Sequence, residues 1–349
     1  MTSKIFQEDI AEVAASPEIR WENMKGAYVL ITGATGLIGT SLVHTLSAAN
    51  KAHALEMLTI AHGRDTTKGE RLSQDCGSEF ISGDIRKPIP KEILPSTIDY
   101  IFHCAAITKS AHMVAKPVDV ITTAVDGTGN ILELAKTKHC KSLVYLSSME
   151  VYGQTDLTEV TETDLGYLDL SNPRSSYPES KRLCESLCVS YAAQYDIPVK
   201  IARLAQTFGS GTPYGDTRVF AQFARSAISG SNIELHTEGR SRGNFCCTSD
   251  AIRGLLLLLL EGAPGVAYNI ANPAASMTIR EMAELVAHDV CCGKIDVVVN
   301  VPEDILKYGY SPDAGYTLNI DKLRALNWEP KYSLADMFKR VISDWQDSK

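Results

Sequence analysis

Tyr177-Pro178-Glu179-Ser180-Lys181 puts a phenol and an ammonium at i and i+4, neighbours on one face of a helix. A nearby cation favours phenolate over phenol, and an oxidised nicotinamide would add to it, bringing a pKa near 10 towards neutrality. Such a tyrosine can take a proton from a substrate hydroxyl. The Tyr-x3-Lys spacing alone is common in proteins. It gains weight from Ser147-Ser148, about 30 residues upstream at the end of a strand-like run, where a hydroxyl can orient the reacting oxygen. It gains more from Thr32-Gly33-Ala34-Thr35-Gly36-Leu37-Ile38-Gly39, which follows the first strand-like run directly and opens a helical stretch. There Gly33 suits a tight turn, Gly36 lets backbone approach a pyrophosphate, and Gly39 lets helix and strand pack closely. The amides of the helix start then face the phosphates.

These groups need a scaffold that brings strand ends together. Tyr28–Thr32, Met57–Ala61, Glu79–Ser82, Tyr100–Cys104, Ser142–Ser148 and Val199–Leu204 read as short β-branched strands. They alternate with helical stretches such as Gly127–Lys136 and Lys181–Gln194, and Ser176 with Glu179 three residues later signals a capped start for the second. The alternation predicts an α/β fold, a Rossmann-type doubly wound parallel sheet. After Leu204 the rhythm loosens into Gly209–Gly215, Glu238–Gly243 and Asn272–Ser276, which read as loops. We therefore divide the chain into residues 1–205, a dinucleotide-binding domain with an N-terminal extension, and 206–349, a smaller substrate domain. Tyr268–Ala271 reads as a strand returning to the main sheet, so the second domain is interleaved, with about 244–272 going back to the first. In the extension, a helical pattern surrounds Ile10 to Ala14, and Trp21 can pin the segment to the body.

The second strand ends in Ile60-Ala61-His62-Gly63-Arg64-Asp65. Arg64 suits the 2′-phosphate of NADP and Asp65 the free ribose hydroxyl of NAD; the reading favours NAD, with NADP the alternative. Asp84, after the third strand, is the candidate adenine contact.

A formal net charge of -8 without a cluster of Lys and Arg argues against nucleic acid, so small molecules are the expected partners. The nine cysteines form no Cys-x2-Cys pair and their count is odd, which suits reduced core residues; no metal site is expected. No basic segment followed by an apolar run opens the chain, which argues against export and for the cytoplasm. Leu255–Leu260 with its apolar neighbours makes about half a membrane span, so a buried helix is expected.

From Gly26 to Trp345 the chain resembles the extended short-chain dehydrogenase/reductases that act on nucleotide sugars, the epimerases, 4,6-dehydratases and decarboxylases. The resemblance is carried by Thr32–Gly39, Gly83-Asp84, His103–Ala106, Gly127-Thr128, Ser147–Gly153, Tyr177–Lys181, Arg203–Gly209 and Leu326–Pro330. It implies a catalytic trio of Ser148, Tyr177 and Lys181, a cofactor that stays bound, oxidation at C4 of the sugar, and a homodimer. It also implies cofactor contacts from Gly33, Thr35, Gly36, Leu37, Ile38, Arg64, Asp84, Ile85, Ala105, Tyr177 and Lys181. Arg174–Tyr177, Lys181-Arg182 and Asp216–Phe223 look most like UDP-glucuronate decarboxylases. Those enzymes, like the dehydratases, carry a Glu before Val-Tyr-Gly, and Glu150 stands there; once C4 is a ketone, a carboxylate beside the ring can take the acidified C5 proton. Substrate contacts are expected from Gln206, Arg218 and Arg242. The pattern is broken at Met149, where dehydratases place an Asp acid, and at Gly243, where a diphosphate Arg is expected and Arg242 must serve from one position away. Gln206 and Ala124 replace usual Asn residues, and Asp313–Leu318 lacks the late Arg of the decarboxylases.

Overall fold

The computed structural model describes residues 2–301 and 315–348. Helix α1 (Lys4–Ala14) precedes β1 (Tyr28–Thr32), α2 (Leu37–His53), β2 (Leu58–Gly63), α3 (Thr66–Cys76) and β3 (Glu79–Ser82). Then come β4 (Tyr100–His103), α4 (Ser110–Ala115), α5 (Pro117–Thr137), β5 (Ser142–Ser148), β6 (Glu159–Val160), α6 (Ser176–Tyr195) and β7 (Val199–Leu204). The second half holds β8 (Gln206–Phe208), α7 (Val219–Ser229), β9 (Ile233–Leu235), β10 (Arg242–Cys247), α8 (Thr248–Glu261), β11 (Ala267–Ile270) and β12 (Asn272–Thr278). It continues through α9 (Ile279–Leu285), β13 (Val297–Val299), β14 (Thr317–Leu318), α10 (Asp321–Arg324) and α11 (Leu334–Asp347).

The main sheet has seven strands in the order β11-β7-β5-β4-β1-β2-β3, every neighbouring pair parallel. Strand side chains alternate between faces, so Val29 and Ile31 join one core while Leu30 joins the other. The first core takes α2 and the leucines of α8, and the second takes α5 and α6. The α8 run is thus a helix buried on nearly every side. Strand order reverses between β1 and β4, which opens a crevice at their carboxyl ends.

A third core gathers around β8, β10 and β12, a separate sheet, with α7, α9 and α11. Phe208 stacks on Phe220 at its centre, ring centroids 4.1 Å apart. Asn272–Ser276, expected as a loop, is instead the start of β12: antiparallel pairing with β10 makes a strand of a stretch whose small residues and proline suggest a turn. Phe245–Cys247 likewise belong to this smaller sheet, while α8 and β11 lie with the main one.

Helix α1 packs on α2, α8 and α11, and Trp21 is buried and stacked on His53, as its hydrophobicity suggests. Asp9 on α1 is buried between Ser210 and Arg340. The capped start expected at Ser176 is not what forms. Helix α6 begins with Ser175 as its flanking residue, no side chain caps it, and Ser176 Oγ is buried without a partner. All nine cysteines are free and most are at least partly buried, but Cys292 is exposed. No described helix is long and apolar enough to cross a membrane.

Candidate active site

The crevice at the carboxyl edge of the sheet has a backbone side and a side-chain side. On the backbone side, Gly33 has φ +66°, and a Cβ there would lie 2.8 Å from Ala105 Cα. A Cβ on Gly39 would lie 2.3 Å from the Gly33 carbonyl oxygen. Gly36 is different: it is exposed, its Cβ would meet only that oxygen at 3.3 Å, and it flanks the 17-residue α2 without any side chain capping it. The first amides of α2 therefore face open space beside a side-chain-free turn, an arrangement that fits a pyrophosphate. Thr35, Leu37 and Ile38 line the same turn and are partly exposed. Ala105 sits against Gly33, its amide donating to Thr32 Oγ1.

Arg64 and Asp65 follow β2, and Asp84 follows β3. Asp65 caps α3, accepting from the Lys68 amide at 3.1 Å and pairing with its ammonium, while Arg64 is exposed. Asp84 is gripped by the Arg86 guanidinium at 2.6 to 3.2 Å, which holds its carboxyl down at about 2. Ile85 is buried against Gly127, and its carbonyl accepts from Asn130. His62, not singled out from the sequence, is buried beside Gly83, and burial pushes its pKa down to about 4. His103 is held neutral between Thr32 (2.7 Å) and Thr128 (3.3 Å), burial driving it to about 3.

On the side-chain side, β5 delivers Ser148 and α6 delivers Tyr177 and Lys181, all three brought to one place. The Ser148 hydroxyl accepts from the Glu150 amide at 3.2 Å and lies close enough to the Tyr177 phenol to favour its ionisation. Lys181 is buried, its Nζ donating to the Leu146 carbonyl at 2.5 Å and lying 5.9 Å from the Tyr177 ring centroid. Burial lowers its pKa. The sequence argument expects Lys181 to draw the phenol towards neutrality, yet burial pushes Tyr177 up, and the Glu150 charge adds to that. Ser148, Arg174 and Arg218 pull the other way. Desolvation outweighs a lysine whose nitrogen is turned to a carbonyl.

Glu150 lies on a single 3-10 turn, Met149–Tyr152, after β5. Arg174 meets it, one guanidinium nitrogen standing 3.0 and 2.8 Å from the two carboxylate oxygens. Arg174 was visible in the sequence only as part of a family match; its place three residues before Tyr177 was the available signal. Met149 is buried, and Tyr316 directs its hydroxyl to the Met149 carbonyl at 3.5 Å.

Of the expected substrate contacts, Arg218 is near enough to influence Tyr177; it is forked onto Asp216 at 2.7 to 3.1 Å and lies over Phe220. Gln206 is partly exposed at the start of β8. Arg242 donates to the Ser276 carbonyl at 2.8 Å and makes no described bond to the Tyr177 group. A side chain at Gly243 would run into the Phe245 ring, 2.4 Å from its nearest atom. Asp313 and Ala314 lie outside the described residues.

The profile of the NAD dependent epimerase/dehydratase family matches residues 29–271. UDP-glucuronic acid decarboxylase 6 of Arabidopsis thaliana is 32% identical over 325 residues, 91% of this chain and 88% of that protein. Among solved structures, DesIV, a dTDP-glucose 4,6-dehydratase from Streptomyces venezuelae with NAD and TYD bound, superposes with TM-score 0.74. It is 24% identical, covering 92% of this chain and 97% of its own. UDP-N-acetylglucosamine 4-epimerase from Methanobrevibacter ruminantium M1 gives TM-score 0.78 at 19% identity, covering 93% and 100%. The glycine turn and the Ser148, Tyr177 and Lys181 grouping both fall inside the matched span, and the chain belongs to the NAD dependent epimerase/dehydratase family.

Proposed function

We propose that this chain is an enzyme that modifies a nucleotide-activated sugar by transient oxidation at C4, followed by a second step assisted by Glu150. The observation that carries the reading is the meeting of Ser148, Tyr177, Lys181 and Glu150 beside a turn built to take a pyrophosphate. A nicotinamide held there would supply the hydride acceptor and donor for the sugar carbon. Ser148 orients the C4 oxygen and Tyr177 takes its proton. Lys181, with the oxidised ring, supplies the positive charge that must offset the burial of the phenol. Glu150 acts after the ketone exists. Buried Met149 offers no proton for an expelled hydroxyl, which favours decarboxylation or epimerisation over dehydration.

Gly33, Gly36, Leu37 and Ile38 would hold the pyrophosphate, with Thr35, Arg64, Asp84, Ile85 and Ala105 along the rest of the dinucleotide. NAD is the cofactor of this reading. NADP is the second reading of the cofactor, prompted by Arg64, exposed beside an Asp65 already engaged in capping α3. On the substrate side, the elements around the third core would close over the sugar, with Gln206, Arg218 and Arg242 nearest the diphosphate. Exposed Val118 and Ile121 on α5 and Leu183 and Val189 on α6 supply an apolar face for a homodimer. Nine unpaired thiols suit the cytoplasm.

Mass spectrometry of products from a panel of UDP-, dTDP-, GDP- and CDP-sugars tests the proposal. Loss of carbon dioxide, loss of water or an isomer of unchanged mass each identifies the second step. A panel returned wholly unchanged, with no transient reduction of the bound cofactor, overturns it.

A further inference from the structure

Between Glu150 and Tyr177 the charges are arranged in an unusual order. Tyr177 must lose a proton early in the reaction proposed above, and Glu150 must carry a negative charge later. Both stand at the same edge of the sheet, and an ionised Glu150 opposes ionisation of the phenol. Arg174 stands between these demands. It sits on a one-turn 3-10 helix, Pro173–Ser175, directly before α6, with its amide fixed by the Asn172 side chain at 3.0 Å. Its side chain is 16% exposed, and its guanidinium nitrogen is within 3.0 Å of both Glu150 oxygens. A charge-assisted pair of this closeness, on a side chain largely out of water, fixes where the carboxylate points.

We propose that Arg174 is a positioning residue: it holds the Glu150 carboxylate on its own side of the site, so that this charge serves the second step without blocking proton loss from Tyr177. The inference rests on the functional reading above for what Glu150 does, but its electrostatic part is independent of any substrate. Without Arg174 the carboxylate is free to turn towards the phenol, and the positive charge that masks it is gone. The other polar groups around the phenol do not duplicate this. Ser148 on β5 is a neutral neighbour, and Arg218 before α7 is forked onto Asp216. Lys181 on α6 faces the Leu146 carbonyl, Tyr145 on β5 is a buried neutral phenol, and Tyr316 is bonded to the Met149 carbonyl. From α4 and α5 the apolar Met113 and Val120 cluster with Tyr177.

The test reads Tyr177 itself. Tyrosinate absorbance is titrated for the NAD-loaded enzyme and for its Tyr177→Phe counterpart, and the difference isolates one phenol. Arg174→Ala should move that titration upward by about one pH unit, corresponding to a tenfold change in the ionisation equilibrium. The shift should be clearly smaller in a Glu150→Gln background, where only the direct charge of Arg174 is lost. Arg174→Lys should restore most of the parent titration, and Arg174→Gln replaces the alanine variant if that one does not fold. No shift, or the same shift in both backgrounds, overturns the proposal. Turnover separates the two readings: a tyrosinate shift that depends on Glu150 in an enzyme that acts on no nucleotide sugar upholds the coupling and removes the functional reading. An active enzyme without the shift does the reverse.

Discussion

The glycine turn and the side chains proposed to face the substrate are built by opposite means. The turn is backbone: Gly33 and Gly39 exclude any side chain because carbonyl and Cα atoms occupy the space a Cβ would need. The second set is side chain: Glu150 on Arg174, Arg218 on Asp216 and Arg242 on the Ser276 carbonyl, each group already holding a partner. A turn of the first kind has few alternatives and accepts one class of ligand. A set of the second kind can be rewired by exchanging pairs, and the similar proteins of this fold carry the names decarboxylase, dehydratase and epimerase.

The largest effect on this comparison should come from the group that joins the two sides. Tyr177→Phe should cut the rate of cofactor reduction by substrate by about 10²–10⁴, the usual worth of a general base, a far larger change than any in dinucleotide affinity. Stopped-flow absorbance and calorimetry read the two quantities separately.

Within the turn, two glycines should fail differently. Gly39→Val places atoms on the Gly33 carbonyl and should cost about 1–3 kcal/mol through steric overlap, lowering both melting temperature and dinucleotide binding. Gly36→Val meets only a 3.3 Å contact, so its melting temperature should stay close to the parent while dinucleotide binding is lost. Equal behaviour of the two in calorimetry and thermal melts would contradict the assignment of Gly36 to the ligand and Gly39 to packing.

At the adenine end, Arg64→Ala should lose NADP affinity selectively, by about 1.5–3 kcal/mol, if its guanidinium reads a 2′-phosphate. Small equal losses for NAD and NADP leave Arg64 a surface residue and favour NAD.

The smallest effect per step is a pH effect on stability. His62 and His103 are held to about 4 and about 3 by burial, against an unfolded value near 6.5. Below that unfolded value the unfolded chain binds protons that the folded one refuses, so stability is present above about pH 6.5 and falls as the medium is acidified. The slope is about 1.4 kcal/mol per pH unit for each histidine. Denaturant melts between pH 7 and 5 should show it, and His62→Asn should flatten it.

The two sides also differed in how far they could be read from residues alone. Glycines at 33, 36 and 39 after a β-branched run leave little room for another geometry, and the turn has the shape their spacing demands. The strands of the main sheet were visible because buried parallel strands are continuous apolar runs. What was hidden depended on distant partners. Asn272–Ser276 becomes a strand only because β10 lies beside it, and no local pattern announces that. Asp84 looks free in sequence, and its engagement with Arg86 two residues on depends on the fold of that turn. The rise of the Tyr177 pKa is a burial effect, and an i,i+4 lysine is silent on how much water reaches the phenol.

The central claim is that oxidation and the second step are carried by different groups, Tyr177 on one side and Glu150 on the other. Rapid mixing of Glu150→Gln enzyme with the true nucleotide sugar tests it most directly. Absorbance of the reduced nicotinamide should appear in a single turnover as in the parent, and product should then fail to form. Unchanged turnover, or loss of cofactor reduction itself, would contradict the account.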